Sequence, residues 1–388
     1  MNLKKTIHKL HLWLGLSSGL VVFVVAVTGC IYAFQAEIKD LTYSFMSVKP
    51  QDKAVLLPSE ISRIAEDVFP EGHLHAILYP TKEKSVQAIF FSYGEGNDHY
   101  QIAYINPYTG EVLKLKDEYA DFFRIVLDGH FYLWLPPEIG QPVVASFTLI
   151  FLFMVISGLI LWWPKQKKNL KQSLKIKWSA RWRRKNYDLH QVLGFYVMTF
   201  ALVFAVTGLV WGFVWFRDGL YFAASGGEKF VEYYNPLSDS TKTYQGEIPA
   251  LDAVWMKMNA EYPNADWIEV HPPEYEGSAL AANANPDAST YWKSDYRYFD
   301  QNTLEEISVD HFYNRFEEAS IAQKIMRMNY DVHVGAIAGL PGKVLAFLLS
   351  AIIASLPVTG FLIWWGRRNK AKKEPVSQKK ENMVLTEV

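Results

Sequence analysis

Four histidines stand beside four long apolar stretches at matching spacings, and an imidazole in that position is a candidate metal ligand or proton carrier. His11 precedes the pair Thr28-Gly29 by 17 residues, and His190 precedes Thr207-Gly208 by the same 17. His130 lies 28 residues before Gly158 and 32 before Trp162, while His333 lies 27 before Gly360 and 31 before Trp364. Taken singly, each is equally a helix-end residue bonded to backbone or lipid headgroups. Four in twofold register favour ligation, and a pair of neutral imidazoles on opposite sides of an iron is the axial set of a haem.

The elements that must hold these residues are membrane helices. Half of the 388 residues are apolar, and the net charge of -1 hides a strong segregation. Uncharged runs cover Leu12 to Phe34, Val143 to Trp163, Val192 to Phe216 and Val344 to Trp365, each long enough for the roughly 20 residues that span hydrocarbon as a helix. Pro164 to Asn186 carries ten Lys/Arg and no Asp or Glu. Lys4, Lys5 and Lys9 precede the first run, and Arg367, Arg368, Lys370, Lys372 and Lys373 follow the last. Short basic loops stay on the cytoplasmic side, so both termini and the middle loop are expected inside. That charge needs no nucleic-acid partner, since it already serves as the topogenic signal and touches membrane lipid.

The expected fold class is a membrane α-helical four-helix bundle of two parallel repeats, each with an inserted periplasmic α+β domain. The expected segments are a first membrane helix in 1–38, a periplasmic domain in 39–128 and a second helix with its lead-in in 129–164. A basic loop in 165–186 and a third helix in 187–217 follow. The second periplasmic domain occupies 218–329, the fourth helix with its lead-in 330–366, and a disordered cytoplasmic tail 367–388. The location is a bacterial inner membrane, crossed several times. Halves that both start and end inside are related by an axis along the membrane normal. The single cysteine, Cys30, excludes a disulfide framework. Val27-Thr28-Gly29-Cys30 resembles a lipoprotein signal, but a Thr-Gly or Ser-Gly pair recurs near the far end of all four runs (Thr28-Gly29, Ser157-Gly158, Thr207-Gly208, Thr359-Gly360) and only the first is followed by cysteine. A buried inert thiol is the expectation.

Both inserted segments show one pattern. Pro58 to Phe69 reads as an amphipathic helix, Gln87 to Tyr93 and Tyr100 to Ile105 as strands, and Asn106 to Gly110 as a turn. Ala250 to Tyr262 is the matching helix, and Tyr296 to Ile307 the matching strand and turn. Tyr104, Thr109 and Glu111 fall opposite Tyr298, Thr303 and Glu305 without a gap, and Tyr-x4-Thr-x-Glu at the end of such a unit resembles the PepSY domain.

The odd helices open with His11-Leu12-Trp13-Leu14-Gly15 and His190-Gln191-Val192-Leu193-Gly194, and the even ones end with Gly158-Leu159-Ile160-Leu161-Trp162-Trp163 and Gly360-Phe361-Leu362-Ile363-Trp364-Trp365. In these motifs the chain, over about residues 3 to 368, resembles the PepSY-associated transmembrane family. The resemblance implies an inner-membrane reductase that holds two non-covalent b-type haems and acts on ferric siderophores in the periplasm. The family's periplasmic histidine sits in Leu-His-x-x-Leu; here the counterparts are Gly129-His130-Phe131-Tyr132-Leu133 and the looser Val332-His333-Val334-Gly335.

Across the expected axis the natural pairs are His11 with His190 on the cytoplasmic side and His130 with His333 on the periplasmic side, each pair ligating one haem iron. The Thr/Ser-Gly pairs are expected to wall each site, their glycines admitting a flat macrocycle or a neighbouring helix. His8, three residues before His11 on the same face, either replaces it or bonds a propionate. His73, His75, His99, His271 and His311 lack metal-type spacing and read as surface or core residues. Trp134, Trp162, Trp163, Trp211, Trp215, Trp364 and Trp365 read as an aromatic belt, with Trp134 and Trp211 as candidate neighbours of the outer haem. Tyr221, Tyr233, Tyr234, Tyr291 and Tyr296 read as sheet core or as a cradle for an extracytoplasmic substrate. No dinucleotide-binding glycine loop follows a strand, and no Ser-His-Asp arrangement is suggested. Electrons are therefore expected from a quinol or a separate cytoplasmic protein, and the acceptor is expected to be a ferric chelate.

Overall fold

The computed structural model describes residues 3–92, 98–164 and 166–371. Tyr93, Lys165 and most of the expected cytoplasmic tail lie outside the described residues. Along the chain run α1 (Leu3–Tyr32), α2 (Gln35–Thr42), α3 (Pro58–Val68), β1 (Leu74–Tyr79), β2 (Val86–Ser92), β3 (His99–Ile105), β4 (Val112–Asp117), α4 (Phe122–Tyr132), α5 (Pro137–Trp162), α6 (Leu170–Ser173), α7 (Trp182–Gly212), α8 (Val214–Ser225), α9 (Ala250–Glu261), β5 (Trp267–His271), β6 (Leu280–Asn285), β7 (Asp295–Phe299), β8 (Glu306–Ile307), α10 (Ile321–His333) and α11 (Gly339–Ala371). Four helices are long and apolar enough to cross a membrane: Leu3–Tyr32, Pro137–Trp162, Trp182–Gly212 and Ala336–Arg368. The chain divides into two compact units, one drawn from 1–30, 129–212 and 346 onward, the other from 31–128 and 213–345.

The first unit is the helical one. Its interior is an apolar layer to which every long helix contributes: Val22 and Ala26 from α1, Phe151 and Val155 from α5, Val197, Ala201 and Phe204 from α7, and Leu349, Ile353 and Leu356 from α11. Packing in such a bundle rests on close approach rather than on hydrophobic transfer, because lipid is as apolar as leucine. Small residues supply that approach between α5 and α7. A Cβ added at Gly212 would stand 2.8 Å from the Ala145 Cβ, and Ala201 and Ala205 are buried on the same helix. At the other end Trp162 stacks on Phe195 with centroids 3.7 Å apart and donates from Nε1 to the Ser173 carbonyl at 3.2 Å. Trp162 is only 6 % exposed, so it is a packing residue and not a member of the expected interfacial belt. Trp134, Trp163, Trp215 and Trp365 are exposed, as that belt requires. Cys30 is half-buried within α1, its thiol 3.5 Å from the Phe347 carbonyl.

The second unit is built on one antiparallel sheet in the order β4-β3-β2-β1-β5-β6-β7-β8. Two separate inserted domains were expected; instead the strands of both segments join in a single sheet, because β1 pairs with β5 through Ile77↔Val270, Leu78↔Glu269 and Tyr79↔Ile268. The physical reason is edge protection. Each half alone would leave an apolar strand with unpaired backbone groups, and pairing the two edges removes both. α3 and α9 cover one face over a core of Ile61, Ile77, Phe90, Ile105, Val254, Met258, Val270 and Phe299. Their common end is tied by Asp252, which accepts from the Ser59 amide at 2.8 Å and its hydroxyl at 2.6 Å.

Candidate functional site

Three of the four histidines are held in one way. His11 lies 2.8 Å by Nδ1 from the Ser157 hydroxyl, which is also 3.0 Å from the Met154 carbonyl. His190 places Nδ1 3.1 Å from the Leu356 carbonyl and 2.9 Å from the Thr359 hydroxyl, which in turn bonds the Ser355 and Leu356 carbonyls at 3.0 Å. His130 places Nδ1 2.9 Å from the Val25 carbonyl and 3.4 Å from the Thr28 hydroxyl, whose proton is directed to Val24 and Val25.

A carbonyl oxygen only accepts, so Nδ1 is the protonated nitrogen in His130 and His190; beside His11 the Ser157 hydroxyl can donate or accept. In the first two rings the lone pair is then on Nε2. That is the tautomer of a histidine that ligates a metal through Nε2 while its other nitrogen is anchored, and such anchoring fixes ring orientation and ligand basicity.

The glycines complete the arrangement. A Cβ added at Gly158 would stand 3.4 Å from the His11 Cε1, one at Gly29 3.2 Å from the His130 Cε1, and one at Gly360 3.2 Å from the His190 Cε1. Three of the four Thr/Ser-Gly pairs, Thr28-Gly29, Ser157-Gly158 and Thr359-Gly360, therefore hold an imidazole, the hydroxyl beside Nδ1 and the glycine beside the ring edge. The glycines were expected to admit a flat macrocycle or a neighbouring helix; each of these three admits the imidazole edge of a neighbouring helix.

His8 is exposed and accepts at Nε2 from Arg367, 3.4 Å away, which leaves His11 as the imidazole in the polar cradle. Asn186, one turn before His190, is buried and donates from Nδ2 to the Thr359 carbonyl at 3.0 Å. The sequence reading missed it; an amide on the histidine's own helical face, at the mouth of a hydrocarbon segment, was the available signal.

The segment after His130 is strained. Leu133 and Trp134 have φ of 55° and 58°, a left-handed conformation that is uncommon for such bulky residues. A Cβ at Gly140 would fall 2.3 Å from the Tyr132 carbonyl oxygen. The backbone of α5 thus runs back against the end of α4, which fixes where His130 sits.

His333 belongs to the second unit, where it is the half-buried last residue of α10. Two buried side chains fix that helix. Arg327 donates to the carbonyls of Phe312 at 2.6 Å, Ser294 at 3.1 Å and Asn314 at 2.6 Å, and Asp331 accepts from the amides of Tyr291 at 3.0 Å and Trp292 at 2.9 Å. Arg327-x3-Asp331-x-His333 has its counterpart in Arg124-x3-Asp128-x-His130 on α4, a repeat that the sequence reading did not extract.

Of the remaining histidines of the second unit, His311 is a core residue, His75, His99 and His271 are half-buried and His73 is exposed. His311 is fully buried, its Nε2 donating to the Tyr234 carbonyl at 3.1 Å amid Tyr233, Tyr234, Tyr298 and Tyr313. Burial opposes protonation of His271, but the Glu269 carboxylate 3.2 Å away outweighs it and raises the imidazole above its usual range. Among the described residues no group of three or more His, Cys, Asp or Glu side chains could hold a metal ion. A metal centre here would have to bring its own equatorial ligands, and a macrocycle does so while leaving the axial positions to imidazoles. The three cradled histidines fit that requirement.

No curated protein matches the chain. A model of the PepSY-associated TM region matches residues 8–367, and the protein is thus a multi-pass membrane protein that belongs to the PepSY-associated TM region family.

Proposed function

We propose that this protein is a di-haem transmembrane oxidoreductase that delivers electrons to ferric iron in a chelate, such as a siderophore, at the outer face of a bacterial inner membrane during iron uptake. The observation that carries the reading is the shared anchoring of His11, His130 and His190 through Nδ1, by a hydroxyl or a carbonyl of a neighbouring helix. In this reading the chain consists of two parallel halves with both termini in the cytoplasm. His11 and His190 hold the inner haem b, and His130 and His333 the outer one.

Bound in this way, the group supplies a one-electron carrier with no open coordination position. The chain's own residues do the rest. Ser157, Thr28 and Thr359 fix the ring planes, and the glycine beside each hydroxyl gives the ring room. The apolar layer of α1, α5, α7 and α11 keeps water out of the middle of the bundle. His11 and Thr28, the inner and outer markers on α1, are 17 residues apart, about 25 Å of helix rise, so the two levels lie on opposite sides of the hydrocarbon. A quinol or a cytoplasmic redox protein serves as electron donor.

The test is reduction across a sealed membrane. Protein in liposomes loaded with an internal reductant should convert an external ferric chelate to ferrous iron, trapped by a ferrous-specific chromophore, and His130→Ala should abolish the rate. Equal rates from His130→Ala and the unaltered protein would overturn the reading.

A further inference from the structure

Three polar side chains meet on the face of the sheet turned away from α3 and α9. Glu269 and His271 flank Val270 on β5, and because Val270 enters the core under the helices, its two neighbours project to the other side. Asn283 on β6 stands directly opposite Glu269 in the antiparallel register. His271 Nε2 is 3.2 Å from Glu269 Oε2, and the Asn283 side-chain amide is 3.0 Å from Glu269 Oε2 and 3.1 Å from His271 Nε2.

Protons alone do not satisfy this triangle. A carboxylate oxygen only accepts. With Nε2 protonated toward Glu269, the amide nitrogen meets it donor to donor; with Nε2 bare, it faces the carboxylate acceptor to acceptor. Turning the amide over sets its oxygen against Glu269 Oε2, again two acceptors. Every arrangement leaves one repulsive edge, and a cation capping three acceptors (Oε2, Nε2 and the amide Oδ1) removes it. The edges have the length this needs, since ligands bonded to a metal at about 2.1 Å stand roughly 3.0–3.4 Å from one another in octahedral or tetrahedral geometry.

We propose that Glu269, His271 and Asn283 bind a divalent first-row transition ion of the Zn2+ class, one imidazole nitrogen and two oxygens supplying three ligands and water the rest. A mixed nitrogen and oxygen set without thiolate suits such an ion and disfavours Cu(I). The third donor is an amide, so the site is not one of His, Cys, Asp and Glu side chains alone. The register of β1 points to the same place. A shift between Leu74 and Ala76 leaves His75 as an extra residue against β2, and its ring lies 5.1 Å from that of His271, nearly perpendicular, and 6.0 Å from that of Phe91. A bulge of this kind re-aims a side chain; here it stands an imidazole beside the triangle. The Glu269 and His271 side chains keep 17 % and 19 % exposure, which gives the ion an entry and lets water complete its shell. All of these residues belong to the second unit, and the site does not depend on haem.

The probes are Zn2+ and Mn2+, titrated calorimetrically into the full-length protein in detergent after treatment with a chelator. The site should take one Zn2+ per chain, more tightly than Mn2+. Glu269→Gln and His271→Gln should each weaken Zn2+ binding by about a hundredfold, and Asn283→Ala by about tenfold. Asn283→Asp has the opposite sign. It sets two carboxylates about 3.0 Å apart, so its melting temperature should fall without metal and recover on addition of Zn2+, which it should bind about tenfold more tightly than the unaltered protein does. A hydrogen-bond network that takes no metal predicts the fall without the recovery. Zn2+ bound equally by the unaltered protein and by His271→Gln, or an Asn283→Asp protein whose melting temperature Zn2+ does not raise, would overturn the site.

Discussion

His190 Nδ1 and Thr359 Oγ1 are 2.9 Å apart, and the threonine's own proton is directed to the carbonyls of Ser355 and Leu356. The hydroxyl is therefore an acceptor toward the imidazole, and the helix that carries it dictates which histidine nitrogen is free. Thr359→Val should keep the Leu356 carbonyl contact but lose this one, weakening haem retention at the inner site by roughly tenfold. Thr359→Ser should restore it. Haem retained through gel filtration, measured as haem per protein, checks both.

Glycine variants should separate the two levels. Gly29→Ala forces a methyl to 3.2 Å from His130 Cε1, and Gly360→Ala does the same to His190. The first should lower only the outer haem's occupancy and the second only the inner one's. Gly219→Ala, where a Cβ meets nothing within 4 Å, should leave both intact. Redox titration followed in the visible bands distinguishes the sites.

If His130 and His333 share one iron, His130→Ala and His333→Ala should remove the same optical component and leave the other spectrally unchanged. Components lost separately in the two variants would refute that pairing.

Arg327 is 7 % exposed and donates to three backbone carbonyls. Arg327→Met strands those acceptors in a buried setting, at a cost of about 3 kcal/mol. The variant should melt several degrees lower, and hydrogen exchange should rise first along α10.

Acid should weaken the second unit through Glu306. Burial raises its carboxyl, but Arg297 and Arg315 outweigh burial and hold it at about 2, against an ordinary value of 4.5. A depressed folded value means that the contribution is full above 4.5 and is lost as pH falls toward 2. The melting temperature should therefore drop over that interval, and the drop should be smaller in Glu306→Gln.

The four long apolar helices were legible because hydrocarbon imposes length and excludes charge, both of which are one-dimensional properties of sequence. The role of Thr28, Ser157 and Thr359 was half legible. Their recurrence beside glycine was visible, but the direction of each hydroxyl depends on which helix packs against it, and that is a tertiary fact. Trp162 shows the same limit: a tryptophan at a helix end reads as interfacial until Phe195 on another helix covers it. The β1–β5 seam was illegible, because an edge strand and an inner strand share the same alternation, and only the partner edge decides between them. Asn186 was passed over because a polar residue at a helix mouth has a plain alternative in solvation.

The account stands on haem bound through anchored imidazoles, and the difference spectrum of the purified protein, dithionite-reduced minus oxidised, tests it most directly. After expression in haem-replete cells it should show a sharp Soret shift with alpha and beta bands of low-spin bis-imidazole haem, at about two haems per chain. A colourless protein that is nonetheless folded and membrane-inserted would contradict the account.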